Sequence, residues 1–137
     1  MIIAGALVQS EQKYLQAIET GHHHLVADEP LDNGGQDAGP SPYGLLLSAL
    51  GSCTSATLRM YAERKGWQLG TIRVRLTFER REDEQKQKHE HITRQISFDA
   101  PLSDEQKKRL GEIADKTPVT KTLRQGTPIT THMIGIS

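Results

Sequence analysis

The sequence predicts an α+β fold: mainly antiparallel sheets around a long buried helix, in the order βββ-α-ββ-α-β. Three observations carry this. Residues 71–80 and 92–99 alternate apolar and polar side chains with the two-residue period of a strand. Residues 42–65 form a long helix-compatible run with a cap signal at each end. The predicted strands are grouped apart from the helices instead of alternating with them, which argues for antiparallel pairing. At 137 residues, the chain fits one domain spanning 1–137.

Ile2 to Val8 is apolar and predicts a first strand, Lys13 to Ile18 a loosely alternating second, and His22 to Ala27 a third after a turn at Gly21. Asp28 to Pro42 is rich in Gly, Asp and Pro and predicts a loop. Ser41 suits a helix N-cap and Pro42 the first helical position. Gly66 marks the stop of that helix, after Lys65. Its first half is apolar nearly all round, the pattern of a helix buried on most sides, and Gly51, Ser52, Ser55 and Thr57 are small enough for other backbones to come close. In Thr71 to Arg80, Ile72, Val74, Leu76 and Phe78 share one face and Arg73, Arg75, Thr77 and Glu79 the other, as in a sheet with one wet face. Ile92 to Asp99 repeats the pattern through Ile92, Ile96 and Phe98, and the charged stretch between the two strands predicts a hairpin loop. Ser103 with Gln106 is a capping-box signature for a helix reaching about Asp115. Thr117-Pro118 interrupts it, Val119 to Arg124 predicts a short helical turn, and Ile129 to Ile136 a final strand.

Composition narrows the partners. Apolar residues make up 35% of the chain, below the roughly 45–50% of a typical domain, a figure that counts glycine. A core shared between two copies is the simplest remedy, so a two-fold homodimer is expected. The formal net charge is zero, without the basic excess that phosphate binding requires, so no nucleic-acid partner is expected. Tyr43 to Leu50, the longest apolar region, falls well short of the ~20 residues of a membrane span. Met1 to Val8 lacks the basic start and length of a secretory signal. The one cysteine cannot form an internal disulfide, and a cytoplasmic location is expected.

Several stretches together resemble the OsmC/Ohr family. The run from Pro40 through Ser41-Pro42-Tyr43-Gly44 to Gly51-Ser52-Cys53-Thr54, with its continuation Leu58-Arg59-Met60-Tyr61 to Gly66-Trp67, is similar to the family's central helix. Asp28-Glu29-Pro30, Gly34-Gly35 and Ile113-Ala114-Asp115-Lys116-Thr117-Pro118-Val119 fit the same pattern. The resemblance covers nearly the whole chain. It implies an intertwined homodimer with sites at the subunit interface, and reduction of organic hydroperoxides by a cysteine that a second cysteine resolves, supported by a glutamate and an N-terminal arginine. Cys53 matches the attacking cysteine. Thr117 stands where relatives carry the second one, Tyr43-Gly44 occupies the glutamate position, and the first arginine in the chain is Arg59.

Peroxide reduction needs a thiolate, and an unperturbed cysteine titrates near about 8.5. Cys53 lies about three turns inside the helix, beyond reach of the N-terminal dipole. Arg59, six residues on, points about 240° away. Lys116, Lys121 and Arg124 flank Thr117 and are the candidate thiolate-supporting cations. Without a second cysteine, an external thiol reductant would complete the cycle. The alternative is a non-catalytic relative that binds a small apolar ligand at the dimer interface, with Cys53 an inert apolar residue among Leu46, Ala49, Leu50, Thr57 and Met60. No cofactor is expected. His22, His23 and His24 invite a metal reading, but only His22 and His24 share a strand face, too few ligands for zinc, so no metal is expected.

Overall fold

The computed structural model describes residues 1–135 and is α+β, with two antiparallel sheets and three α-helices. Its elements are β1 (Leu7–Gln9), β2 (Gln16–Thr20), β3 (His23–Ala27), a 3-10 turn (Leu31–Asn33), α1 (Pro42–Lys65), β4 (Ile72–Glu82), β5 (Lys88–Phe98), α2 (Asp104–Ala114) and α3 (Pro118–Gln125). The chain falls into two compact units that divide within α1, Met1–Ser48 and the part from Ala49 onward.

In the first unit, β1, β2 and β3 form an antiparallel meander. β1 is only three residues long, so most of the expected Ile2–Val8 strand lies outside the sheet. The loop after β3 is organised by Asp28, which is 3% exposed. Its carboxylate accepts the backbone N–H groups of Glu29 at 2.8 Å and of Gln36 and Ala38 at 3.2 Å, while its own N–H donates to the Pro40 carbonyl. The chain passes so close to itself here that a Cβ on Gly35 would overlap the Glu29 carbonyl oxygen.

The start of α1 follows the sequence signals, with the Ser41 hydroxyl accepting the Gly44 N–H at 3.1 Å. Its end is the left-handed Gly66, and the Trp67 N–H closes onto the Ala62 carbonyl. Burial departs from expectation. Only Leu50, Thr54, Leu58, Tyr61 and Ala62 are buried, a stripe at helical spacing. Leu45, Leu46 and Leu47 are half-buried and Tyr43, Ser48 and Ala49 exposed, because a single chain covers one face of the helix.

In the second unit, β4 and β5 form an 11-residue-a-side hairpin in the register Ile72↔Phe98 to Glu82↔Lys88. The strands run further than the charged sequence predicted. Asp83 makes the turn by accepting the Gln85 and Gln87 N–H groups, and Arg80 pairs with Glu90 directly opposite at 2.7 Å, so His89 and His91 lie on a strand instead of in a loop. The core is Leu58, Tyr61, Ala62, Leu69, Leu110 and Ala114, with Ile72, Ile96 and Phe98 of the hairpin packed on it. Full burial of a leucine such as Leu58 contributes about 2–3 kcal/mol. Gly51 permits a close fit, since a Cβ there would meet Leu76 Cδ1 at 2.8 Å. Ser103 and Gln106 form the expected capping box on α2. The expected turn at 119–124 is a full helix, α3, started by Pro118. The expected last strand is not formed over Ile129–Gly135: a strand needs a neighbouring edge to satisfy its backbone, and these described residues pair with none. Ile136 lies outside the described residues. Among those residues no helix is long and apolar enough to cross a membrane.

Candidate functional site

The alternation of β5 turns Ile92, Arg94, Ile96 and Phe98 to one face, all half-buried between exposed Thr93, Gln95 and Ser97. An arginine on the inward face must bring its partners with it, because an unpaired buried cation is very costly. The Arg94 side chain is 12% exposed, and four of its five N–H donors are used. One terminal nitrogen donates to Thr54 Oγ1 and to Thr120 Oγ1, each at 2.9 Å. The other donates to the Ala114 carbonyl at 3.0 Å and reaches Asp115 Oδ1 at 3.5 Å. Arg94 thereby joins β5 to the middle of α1, the end of α2 and the first turn of α3.

Each partner is held in turn. Thr54 is fully buried and donates to the Leu50 carbonyl one helical turn back at 2.7 Å. Thr120 pairs with the Thr117 hydroxyl at 2.6 Å. Thr117 is the N-cap residue of α3, but its side chain caps no backbone N–H. It is fully buried, and its hydroxyl completes the polar cluster instead.

Cys53 precedes Thr54 on α1, is half-buried, and is a free thiol. Arg94 feels it through space. Burial pushes the Arg94 guanidinium below its ordinary range, Asp115 pulls it back up, Arg124 pushes it down, and Cys53 pulls it up. Arginine stays charged throughout the accessible pH range, so the cluster around Thr54, the residue that follows Cys53, holds a fixed cation.

Arg124 is exposed and bound to Asp115, at 3.0 Å to its carbonyl and 3.1 Å to Oδ1. Lys116 and Lys121 are exposed and, among the described residues, hold no ion pair or side-chain hydrogen bond. Arg59 donates to the Gly70 carbonyl at 2.8 Å. Sequence reasoning missed Arg94 together with Thr54, Thr120 and Asp115. The signal was present: an arginine at an inward position of an alternating strand. Of the histidines, His24 lies 3.6 Å from Glu19, the His22 and His23 rings lie 4.1 Å apart at a 36° tilt, and His89 bonds Asp83 at 2.8 Å. Among the described residues no three His, Cys, Asp or Glu side chains converge as a metal site would require.

A model of the family described as OsmC-like protein matches residues 34–132. No curated protein matches the sequence. Solved structures share the fold at low identity. An OsmC-like protein from Mycoplasma pneumoniae is 18% identical, with a TM-score of 0.75 over 88% of this chain and 86% of that one. An organic hydroperoxide resistance protein OsmC from Legionella pneumophila is 16% identical, with a TM-score of 0.70 over 90% of each chain. An organic hydroperoxide resistance protein from Elizabethkingia anophelis is 16% identical, with a TM-score of 0.70 over 90% of this chain and 89% of that one.

Proposed function

Because the chain belongs to the OsmC-like protein family, we propose that it is a stress-response protein in which Cys53 reduces organic hydroperoxides with an external thiol as reductant. The observation that carries this reading is the buried Arg94, hydrogen-bonded to Thr54, the residue that follows Cys53 on α1. The thiolate is the nucleophile, and Arg94 would offer its negative sulfur a fixed positive charge. Arg94 would supply from β5 the charge that the family resemblance assigns to an N-terminal arginine, which this chain lacks.

In the proposed reaction the Cys53 thiolate attacks the terminal peroxide oxygen. An S–O bond forms, the O–O bond breaks, and the alkoxide leaves as the alcohol after taking a proton. Cys53 becomes a sulfenic acid. One external thiol then condenses with it, releasing water and forming a mixed disulfide. A second thiol attacks that disulfide and returns Cys53 to the thiol. Thr117 cannot take the resolving part, having a hydroxyl committed to Thr120 in place of sulfur. A cytoplasmic setting, where thiol reductants are abundant, suits this cycle.

The reading includes a homodimer. Leu7 and Val8 of β1 and Leu25 and Val26 of β3 are each 46–54% exposed in the single chain, and apolar exposure repeated across one sheet marks an interaction surface. The second reading, a non-catalytic relative holding a small apolar ligand at that interface, draws on the three family groups that are missing. Dimedone trapping separates the two. One equivalent of cumene hydroperoxide should yield a dimedone adduct on Cys53, with cumyl alcohol released in equal amount. Recovery of unmodified Cys53 with the hydroperoxide intact would leave the non-catalytic reading standing.

A further inference from the structure

The second unit contains a groove of about 670 Å³ between β5 and α2, well within the size range of small-molecule sites. Its apolar lining includes Leu58, Ile96, Phe98, Leu102 and Leu110. Leu58 and Leu110 are essentially fully buried, so the groove is floored by the hydrophobic core. Ile96 and Phe98 continue the same face of β5 as Arg94. Lys107, Leu110 and Gly111 lie three and four residues apart on α2, as neighbours on one helix face do.

Polarity identifies the ligand class. The two charged residues of the described lining are Arg94 and Lys107, both cations. Lys107 is exposed and, among the described residues, holds no ion pair or side-chain hydrogen bond. The Nε–H of Arg94 likewise has no partner among the described residues, its other four donors being engaged. Since no fully buried side-chain polar atom among them lacks a partner, that Nε is not sealed from the groove it lines. An apolar trough bearing two cations is complementary to an apolar body with one negative head.

We propose that this groove binds an anionic amphiphile, a free carboxylic acid with a medium-length acyl chain, whose chain lies on the half-buried Ile96, Phe98 and Leu102 and whose carboxylate meets Lys107 and Arg94. The site does not depend on thiol chemistry at Cys53 and stands or falls separately from the peroxidase reading.

Two substitutions test it in the full-length protein by calorimetric titration with dodecanoate below its micellar concentration. Dodecanol serves as the uncharged control. Lys107→Ala removes an exposed charge from a helix, so folding is retained, and dodecanoate binding should weaken about tenfold while dodecanol binding is unchanged. Gly111→Leu tests occupancy of the groove. A Cβ at Gly111 meets nothing within 4 Å, so the backbone accepts a side chain there, and a leucine in the groove should abolish binding of both probes while thermal melting shows the variant folded. Methyl and amide NMR shifts on titration should centre on Ile96, Leu102 and Leu110. Equal affinity for dodecanoate and dodecanol, unchanged binding in Lys107→Ala, binding that survives in folded Gly111→Leu, or shifts centred on β1 and β3 would each overturn the proposal.

Discussion

Arg94 organises the polar interior of the second unit. Its charge is satisfied by three hydroxyl or carbonyl oxygens within 3.0 Å, a geometry that a flexible, strongly hydrated lysine reproduces only in part. Arg94→Met keeps the apolar stem but removes the cation. Alkylation of Cys53 by iodoacetamide at pH 7 should then slow about tenfold, with Arg94→Lys between the two and circular dichroism confirming that each variant is folded. An unchanged rate in folded Arg94→Met would detach Arg94 from Cys53. Sequence legibility differed sharply between these two residues. Cys53 stood out because it is the one cysteine and sits in a recognisable helix. Arg94 lay in a strand whose apolar positions drew the eye, and its partners on α1, α2 and α3 are 20–40 residues away in sequence. Such a cluster depends on tertiary packing, which periodicity does not encode.

At the scale of elements, local signals were most legible where a cap or a turn residue sets a boundary. Ser41, Gly66 and the Ser103–Gln106 box mark the ends of α1 and the start of α2 as expected. The elements that departed from expectation depend on neighbours: β1 is shortened, β5 is lengthened by cross-strand pairing, and residues 129–135 form no strand. The loop after β3 shows local order of another kind, built on one buried carboxylate. The Ala38 N–H above all, with those of Glu29 and Gln36, holds Asp28 below the usual carboxylate range against the burial that pushes it up. A carboxyl whose folded value is depressed contributes stability above its unfolded value of about 3.9, and that contribution is lost as pH falls through the folded value. Asp28→Asn should therefore melt at a lower temperature than the native chain at pH 7, with the gap closing as both are titrated to pH 2. A gap independent of pH would show that the ionised carboxylate is not what orders the loop.

For the whole molecule, the α+β class and the grouping of strands apart from helices were readable from patterning, and the shared fold of the hydroperoxide resistance protein from Legionella pneumophila agrees with them. The extent of helix burial was not readable. The apolar first half of α1 suggests enclosure, but one chain covers a single stripe of the helix. The proposed homodimer accounts for the difference. Sedimentation equilibrium at micromolar concentration should return twice the 15.2 kDa chain mass, and Val26→Lys, which places a charge at a half-exposed apolar position of β3, should shift the protein toward the monomer. A monomeric native chain at these concentrations would remove the dimer from the account.

The central claim is that Cys53, next to the Thr54 that Arg94 holds, forms a reactive centre for hydroperoxides. Its most direct measurement is the stopped-flow rate constant for consumption of cumene hydroperoxide by the reduced protein at pH 7, set against free cysteine under the same conditions. The account predicts consumption at least a hundredfold faster than by free cysteine, abolished in Cys53→Ser. Consumption no faster than by free cysteine would contradict it.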